Sequence, residues 1–233
     1  MSIKGQSDNG QRRPGLSDTA GTAGTDPRAQ ASPAKVADEP SARCPVVLVL
    51  GAGLSRRFGG DKLAARLPDG REVGAATLQV ARAGWPQVAC VVRPGTRMAE
   101  LAAEAGVRVI ECPEAVDGMG HSLAAGVRAT PDAGGWVVML GDMPHVSSGT
   151  VRRVAQAIQD GATVVLPVCQ GRRGHPVGLH GRLAGRLAAL TGDEGARAVV
   201  ASLSHEVRML DVDDIGILAD IDRPADLDAS SVT

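Results

Sequence analysis

Short apolar runs alternate with stretches of helical spacing along this chain, and few folds accept that order. The runs lie at 46–50, 87–92, 107–112, 136–140 and 163–167, and Val, Leu, Ile, Ala, Cys and Met fill them with few polar interruptions. A strand apolar on both sides of its pleat needs cover on both faces of the sheet. Between the runs, at 73–83, 96–105, 122–130 and 150–159, apolar residues recur three and four positions apart, the spacing of a helix with one buried face. The pattern predicts a layered α/β domain with a mainly parallel central sheet. Beyond Pro176 the alternation loosens. Helices are expected near 182–190 and 196–203, a strand near 207–212, and a last helix opened by Pro224.

Composition sets the outer limits of this domain. Residues 1–42 are Gly, Ser, Thr, Ala, Pro and Asp with scattered charge, a mixture that buries too little apolar surface to offset its chain entropy. They read as a disordered tail, and 43–230 as one domain. The net charge of -1 and the absence of long Lys/Arg runs leave no footprint for nucleic acid or an anionic membrane, so a small-molecule partner is expected. Cys44, Cys90, Cys112 and Cys169 are widely spaced, and neither a signal peptide nor an apolar run of membrane length is present, which reads as a cytoplasmic protein with reduced thiols. With Phe58, Trp85 and Trp136 as the only Phe, Tyr or Trp residues, base stacking on aromatic side chains is not expected to carry recognition.

Lys62 is the only lysine between 43 and 230, in a chain with 22 arginines. It closes the run Leu50-Gly51-Ala52-Gly53-Leu54-Ser55-Arg56-Arg57-Phe58-Gly59-Gly60-Asp61-Lys62, which leaves the first apolar run. A glycine-rich loop leaving a strand and ending in a compact ammonium is a phosphate cradle in outline. Gly53 and Gly59 are the positions expected to take φ > 0, turning amide N–H groups from about Ala52 to Ser55 toward an anion. The spacing excludes two commoner phosphate loops. Lys62 follows Asp61 and precedes Leu63, where a Walker loop needs Gly-Lys-Ser/Thr, and Arg56 stands where a dinucleotide fingerprint begun at Gly51 needs its third glycine.

The loop resembles the L-A-A-G-x-S-x-R-M-G-x-x-K segment of molybdenum cofactor cytidylyltransferases and their MobA-like nucleotidyltransferase relatives. The resemblance continues in family order through Gly118-Met119-Gly120-His121-Ser122, Gly141-Asp142-Met143-Pro144, Gly171-Arg172-Arg173-Gly174-His175-Pro176, Gly192-Asp193-Glu194-Gly195-Ala196-Arg197 and Asp220-Ile221-Asp222-Arg223-Pro224. Gly51 replaces a family Ala and Phe58 a family Met, and neither change removes a charged or hydrogen-bonding group. The resemblance implies a Rossmann-like three-layer nucleotidyltransferase fold. It also implies nucleotide binding by Leu50, Gly51, Ala52, Gly53, Ser55, Arg57, Lys62 and Ser122, catalysis by Lys62, Arg57 and Asp142, acceptor binding by Arg173, Gly174 and His175, and a Mg²⁺ site on Asp142 and Asp222.

Several of these residues also have plainer readings. Asp142 follows the 136–140 run, so it stands at the carboxyl end of a buried strand, where open α/β sheets place their ligands, and a turn aspartate before Pro144 has the same local sequence. Asp222 equally fits a helix start, with Pro224 and Asp226 in the first turn. Ser122 reads as an N-cap worth about 1 kcal/mol. Arg172, Arg173 and His175 read as a charged Gly/Pro-rich loop suited to an anionic second substrate.

The activity implied is transfer of CMP from CTP to the terminal phosphate of molybdenum cofactor (molybdopterin), with release of pyrophosphate. A molybdoenzyme or a chaperone would receive the product. Ala52 sides with the cytidylyltransferases, since the guanylyltransferases usually carry Gly at its position. GTP transfer, cytidylyl transfer to another small phosphate, and a binding protein without catalysis remain open. A binding protein would be expected to have lost the lysine or a carboxylate, and all are present.

Overall fold

The computed structural model describes residues 43–228, so the tail read at 1–42 lies outside the described residues. The strands are β1 (Val46–Leu50), β2 (Val88–Val92), β3 (Arg108–Glu111), β4 (Gly135–Leu140), β5 (Val164–Cys169), β6 (Arg172–Arg173), β7 (Val177–His180) and β8 (Val207–Asp211). The α-helices are α1 (Val73–Gly84), α2 (Arg97–Glu104), α3 (Met119–Ala129), α4 (Ser148–Gln159), α5 (Ala184–Ala188) and α6 (Arg197–Ala201). The eight strands form one sheet in the order β3-β2-β1-β4-β7-β5-β6, with β8 pairing β5. The β1–β2, β1–β4, β2–β3 and β5–β8 pairs are parallel, while β7 runs antiparallel to β4 and β5.

The double-sided apolar pattern has its expected cause. Val47 and Val49 of β1 face one core with Leu78 of α1, Leu101 of α2 and Val151 and Ile158 of α4. Leu48 and Leu50 face the other with Leu123 and Val127 of α3, Leu187 of α5 and Val199 of α6. The result is three layers, with the sheet in the middle. Trp136 lies in the second core, and its indole Nε1 donates to Thr130 Oγ1 at 2.9 Å, so the one polar atom of that ring is satisfied. Among the described residues no helix is long and apolar enough to cross a membrane.

Topology then places the site. From β1 the chain passes to β2 and β3 on one side and returns to β4 on the other, so the order reverses between β1 and β4. The loops leaving the carboxyl ends of two parallel neighbours diverge there and open a crevice. Those loops hold Gly51 to Lys62 and Gly141-Asp142.

Three local expectations differ from the structure. The helix read at 122–130 starts at Met119, which makes Ser122 a buried residue of its first turn and not an N-cap. Gly118 takes the cap position at φ 134, because the chain there packs on residues 191–193: Gly120 N donates to Gly192 O at 2.7 Å, and a Cβ at Gly118 would lie 2.3 Å from that carbonyl. The loop read at 171–176 contains β6, and β7 follows it. Opposite the β5 residues 166–167 the return strand inserts four, 174–177, a bulge that breaks the alternation a strand reading needs. Finally, Pro224 opens a 3-10 turn, Pro224–Asp228, in place of an α-helix.

Candidate active site

The crevice is an open cleft of ≈ 530 Å³. One wall is the loop after β1. The opposite wall is the 3-10 turn Pro113–Asp117 and the start of α3, and the floor is Asp142 with Asp220 and Asp222. Of the residues implied by the resemblance, Leu50, Ala52, Gly53, Ser55, Arg57, Lys62, Ser122, Asp142 and Asp222 line it. Gly51 lies behind the wall, where a Cβ would meet Met98 Cγ at 2.7 Å. Arg173, Gly174 and His175 are not among the lining residues. Arg173 is exposed on β6, Gly174 packs against the Ile217 carbonyl, and His175 sits beside β4, with Nδ1 3.4 Å from Val138 O.

The backbone of the wall loop has a feature that motif reading only outlines. Among the described residues no backbone hydrogen bond uses the amide N–H groups of Ala52 through Arg57, whereas Phe58 N closes a turn on Ser55 O at 3.0 Å. Unspent amides at the end of a parallel strand favour anions. Of the two glycines expected at φ > 0, Gly59 is there (φ 76) and Gly53 is not; the other bend falls on Ser55 at φ 50. The polar side chain of Ser55 tolerates that region better than a branched one would.

Charges converge on the floor. Lys62 Nζ donates to Asp142 Oδ2 and, at 3.4 Å, to Asp222 Oδ1, while Arg57 Nη1 donates to Asp222 Oδ2 at 2.6 Å. Burial works to lower the Lys62 pKa, but the charges and hydrogen bonds of Asp142 and Asp222 outweigh it and raise the pKa above its ordinary value. For Asp222 burial works upward, and Lys62 with Arg57 pulls the carboxyl below the usual aspartate range. Asp142 Oδ1 is buried and, among the described residues, has no hydrogen-bond partner. One oxygen from each of Asp142, Asp220 and Asp222 lies within 4.8 Å of the others. An orphaned carboxylate oxygen beside two more carboxylates fits a hard divalent cation, which takes oxygen ligands and reaches the rest of its shell through water or phosphate.

Sequence reasoning passed over Asp220 as a ligand. Its signal was present: in an extended segment, residues two apart share a side, and Ile221 between Asp220 and Asp222 is buried. The segment is fastened to the β4 loop, since Ile221 N donates to Asp142 O at 3.0 Å. Asp214 adds a second tie, accepting from Ser147 N and Thr150 Oγ1 at the start of α4.

Residues 47–207 match the MobA-like NTP transferase domain. No curated protein matches the chain. Among solved structures it is similar to Rv0371c from Mycobacterium tuberculosis H37Rv, with 32% identity, a TM-score of 0.67, and 79% of this chain and 95% of that one covered. A complex of Rv0371C with manganese from the same organism matches at 29% identity and a TM-score of 0.60, covering 73% and 88%. A nucleotidyl transferase from Methanothermobacter thermautotroptrophicus (Mth528) shares the fold at 23% identity and a TM-score of 0.68, covering 78% and 94%.

Proposed function

We propose that this chain, which belongs to the MobA-like NTP transferase family, is a cytoplasmic Mg²⁺-dependent enzyme that transfers CMP from CTP to the terminal phosphate of molybdenum cofactor (molybdopterin) and releases pyrophosphate. The catalytic domain is 43–230, and the product passes to a molybdoenzyme or a chaperone. The observation that carries this reading is the convergence of Lys62 and Arg57 on Asp142 and Asp222 below a loop whose amides from Ala52 to Arg57 have no backbone acceptor among the described residues.

In this reading the triphosphate lies along the loop, held by the amides from Ala52 to Arg57 and by the Arg57 and Lys62 side chains. An oxygen of the acceptor phosphate attacks the α-phosphorus in line. The new P–O bond forms as the bond from the α-phosphorus to the bridging oxygen breaks, and that oxygen leaves with the electron pair on pyrophosphate. A phosphomonoester has a second pKa of about 6, so the nucleophile is already an anion at neutral pH and no general base is required. What the chain contributes is position and charge: Lys62 and Arg57 face the charge that builds on the transferred group, and the loop amides are aimed before reaction begins. A divalent ion held by Asp142 and Asp222, with Asp220 beside them, would supply further charge neutralisation at the phosphates. The manganese complex of the mycobacterial relative supports such an ion. Ala52 and Ser122 both line the cleft; Ala52 is proposed to favour CTP and Ser122 to meet the base. Arg173, Gly174 and His175 are proposed for the acceptor side.

The test is pyrophosphate release from CTP and, separately, from GTP, with Mg²⁺ and purified molybdenum cofactor as acceptor beside an acceptor-free control. Acceptor-dependent release with CTP is the expected result. Release with GTP alone would keep the mechanism and overturn the base assignment, and no release with either would overturn the reading.

A further inference from the structure

We propose that Lys62 is a tethered counter-cation: in the nucleotide-free protein its ammonium occupies the divalent-ion position between Asp142 and Asp222, and it leaves that position for the triphosphate when the ion binds. The inference rests on the nucleotidyltransferase reading for the triphosphate, and on the geometry alone for the exchange.

The ammonium donates to one oxygen of each carboxylate, Asp142 Oδ2 and Asp222 Oδ1. A Mg²⁺ ion bonded to both aspartates would lie at roughly 2.0–2.1 Å from an oxygen of each, which confines it to the space between them. Nζ fills the part of that space that lies between Asp142 Oδ2 and Asp222 Oδ1. Screening is weak there, because the Lys62 and Asp142 side chains are 13% and 12% exposed, so a monovalent and a divalent cation at such separation repel strongly. The ammonium is also an incomplete substitute for the ion. It draws the two carboxylates together, yet Asp142 Oδ1 stays without a partner among the described residues.

The exchange accounts for the residue type. Among 22 arginines the chain places its single domain lysine here. A compact ammonium on a flexible stem fits between two carboxylates where a metal fits, and it can swing to a phosphate oxygen; a planar guanidinium does neither as well. Ion and nucleotide then bind with positive coupling, since each removes an obstacle to the other. The ion is discouraged from settling before a triphosphate arrives to take up the ammonium.

The experiment uses the full chain without nucleotide and Mn²⁺ alone, with free Mn²⁺ followed by electron paramagnetic resonance in wild type, Lys62→Met and Arg57→Met. Arg57→Met controls for general charge, because Arg57 bonds Asp222 at Oδ2, the oxygen that Lys62 does not hold. Lys62→Met is expected to bind Mn²⁺ at least about tenfold more tightly than wild type, within the range of ordinary site coupling, and Arg57→Met to change by less than about threefold. Equal affinity in Lys62→Met and wild type, or an equal gain in both variants, overturns the exchange. A second measurement needs no variant. With ¹⁵N-labelled lysine, of which the chain has three, the Lys62 Nζ resonance is expected to move as Mg²⁺ alone saturates the site. A resonance that stays in place at saturation means that the two cations share the carboxylates, and overturns the proposal. Neither readout involves turnover, so a negative pyrophosphate assay would remove the function and leave the exchange to stand or fall by itself.

Discussion

Lys62 and Asp142 are 80 residues apart in the chain, and their side chains meet as an ion pair with about seven-eighths of each removed from solvent. The pair joins the end of the loop after β1 to the end of β4, two parallel neighbours in the sheet. It closes the floor of the cleft at the place where the strand order reverses.

Asp142→Ala removes the carboxylate that holds Lys62 and carries the orphaned oxygen. Pyrophosphate release is expected to fall on the order of 10³-fold, the scale of losing one aimed electrostatic group. The fold is expected to persist, because the tie to residue 221 runs through the Asp142 backbone carbonyl. Turnover at the wild-type rate, with an unchanged circular dichroism spectrum, would remove Asp142 from the mechanism.

Lys62→Arg keeps the charge and changes its shape. The guanidinium is too broad for the space between Asp142 and Asp222 and cannot act as a point charge on phosphate, so kcat/KM is expected to drop about 10²-fold. Steady-state kinetics check this, and a change of less than about twofold would show that charge alone suffices.

The pH dependence of stability follows from two shifts of opposite sign. The Lys62 pKa is raised in the folded state, so its contribution is fully present below the unfolded value of about 10.4 and is lost as pH rises through the folded value. The Asp222 pKa is depressed, so its contribution is present above about 3.9 and is lost as pH falls through the folded value. Lys62→Met is therefore expected to lower the thermal midpoint by an amount that stays constant from about pH 6 to 9. A difference that grows or shrinks within this window would contradict the assignment of both shifts.

Gly118→Ala tests the wall opposite the loop. At φ 134, with the Gly192 carbonyl 2.3 Å from an added Cβ, the substitution combines backbone strain with a clash against main chain. A loss of at least about 2 kcal/mol is expected, read from the denaturant midpoint, together with a raised nucleotide KM because Met119 and Ser122 shift with the helix start. Gly53→Ala, where a Cβ meets nothing within 4 Å among the described residues, is the control for added bulk and is expected to cost far less.

The α/β class was legible because strands apolar on both sides and helices apolar on one announce their environments residue by residue. The glycine-rich loop after β1 was legible for the same reason: glycines, arginines and a closing lysine lie within 13 consecutive positions. Asp142 could be placed because a carboxylate two residues beyond a buried strand has to emerge at the sheet's carboxyl edge. The β6–β7 pair could not be read, since a bulge at residues 174–177 interrupts its alternation. The start of α3 could not either, since contact with residues 191–193 decides where Gly118 bends.

By itself, then, the sequence determined the layers, the loop and the identity of the charged groups, all of which depend on neighbours a few positions away. Tertiary structure alone decided that Lys62 lies between Asp142 and Asp222, that Asp220 joins them, and that Arg173 and His175 lie outside the cleft. These outcomes depend on strand order, which brings together residues 80 and 160 positions apart. No local period records such a meeting. It follows from burying both faces of one sheet, which sets β1 against β4 and opens the crevice between their ends.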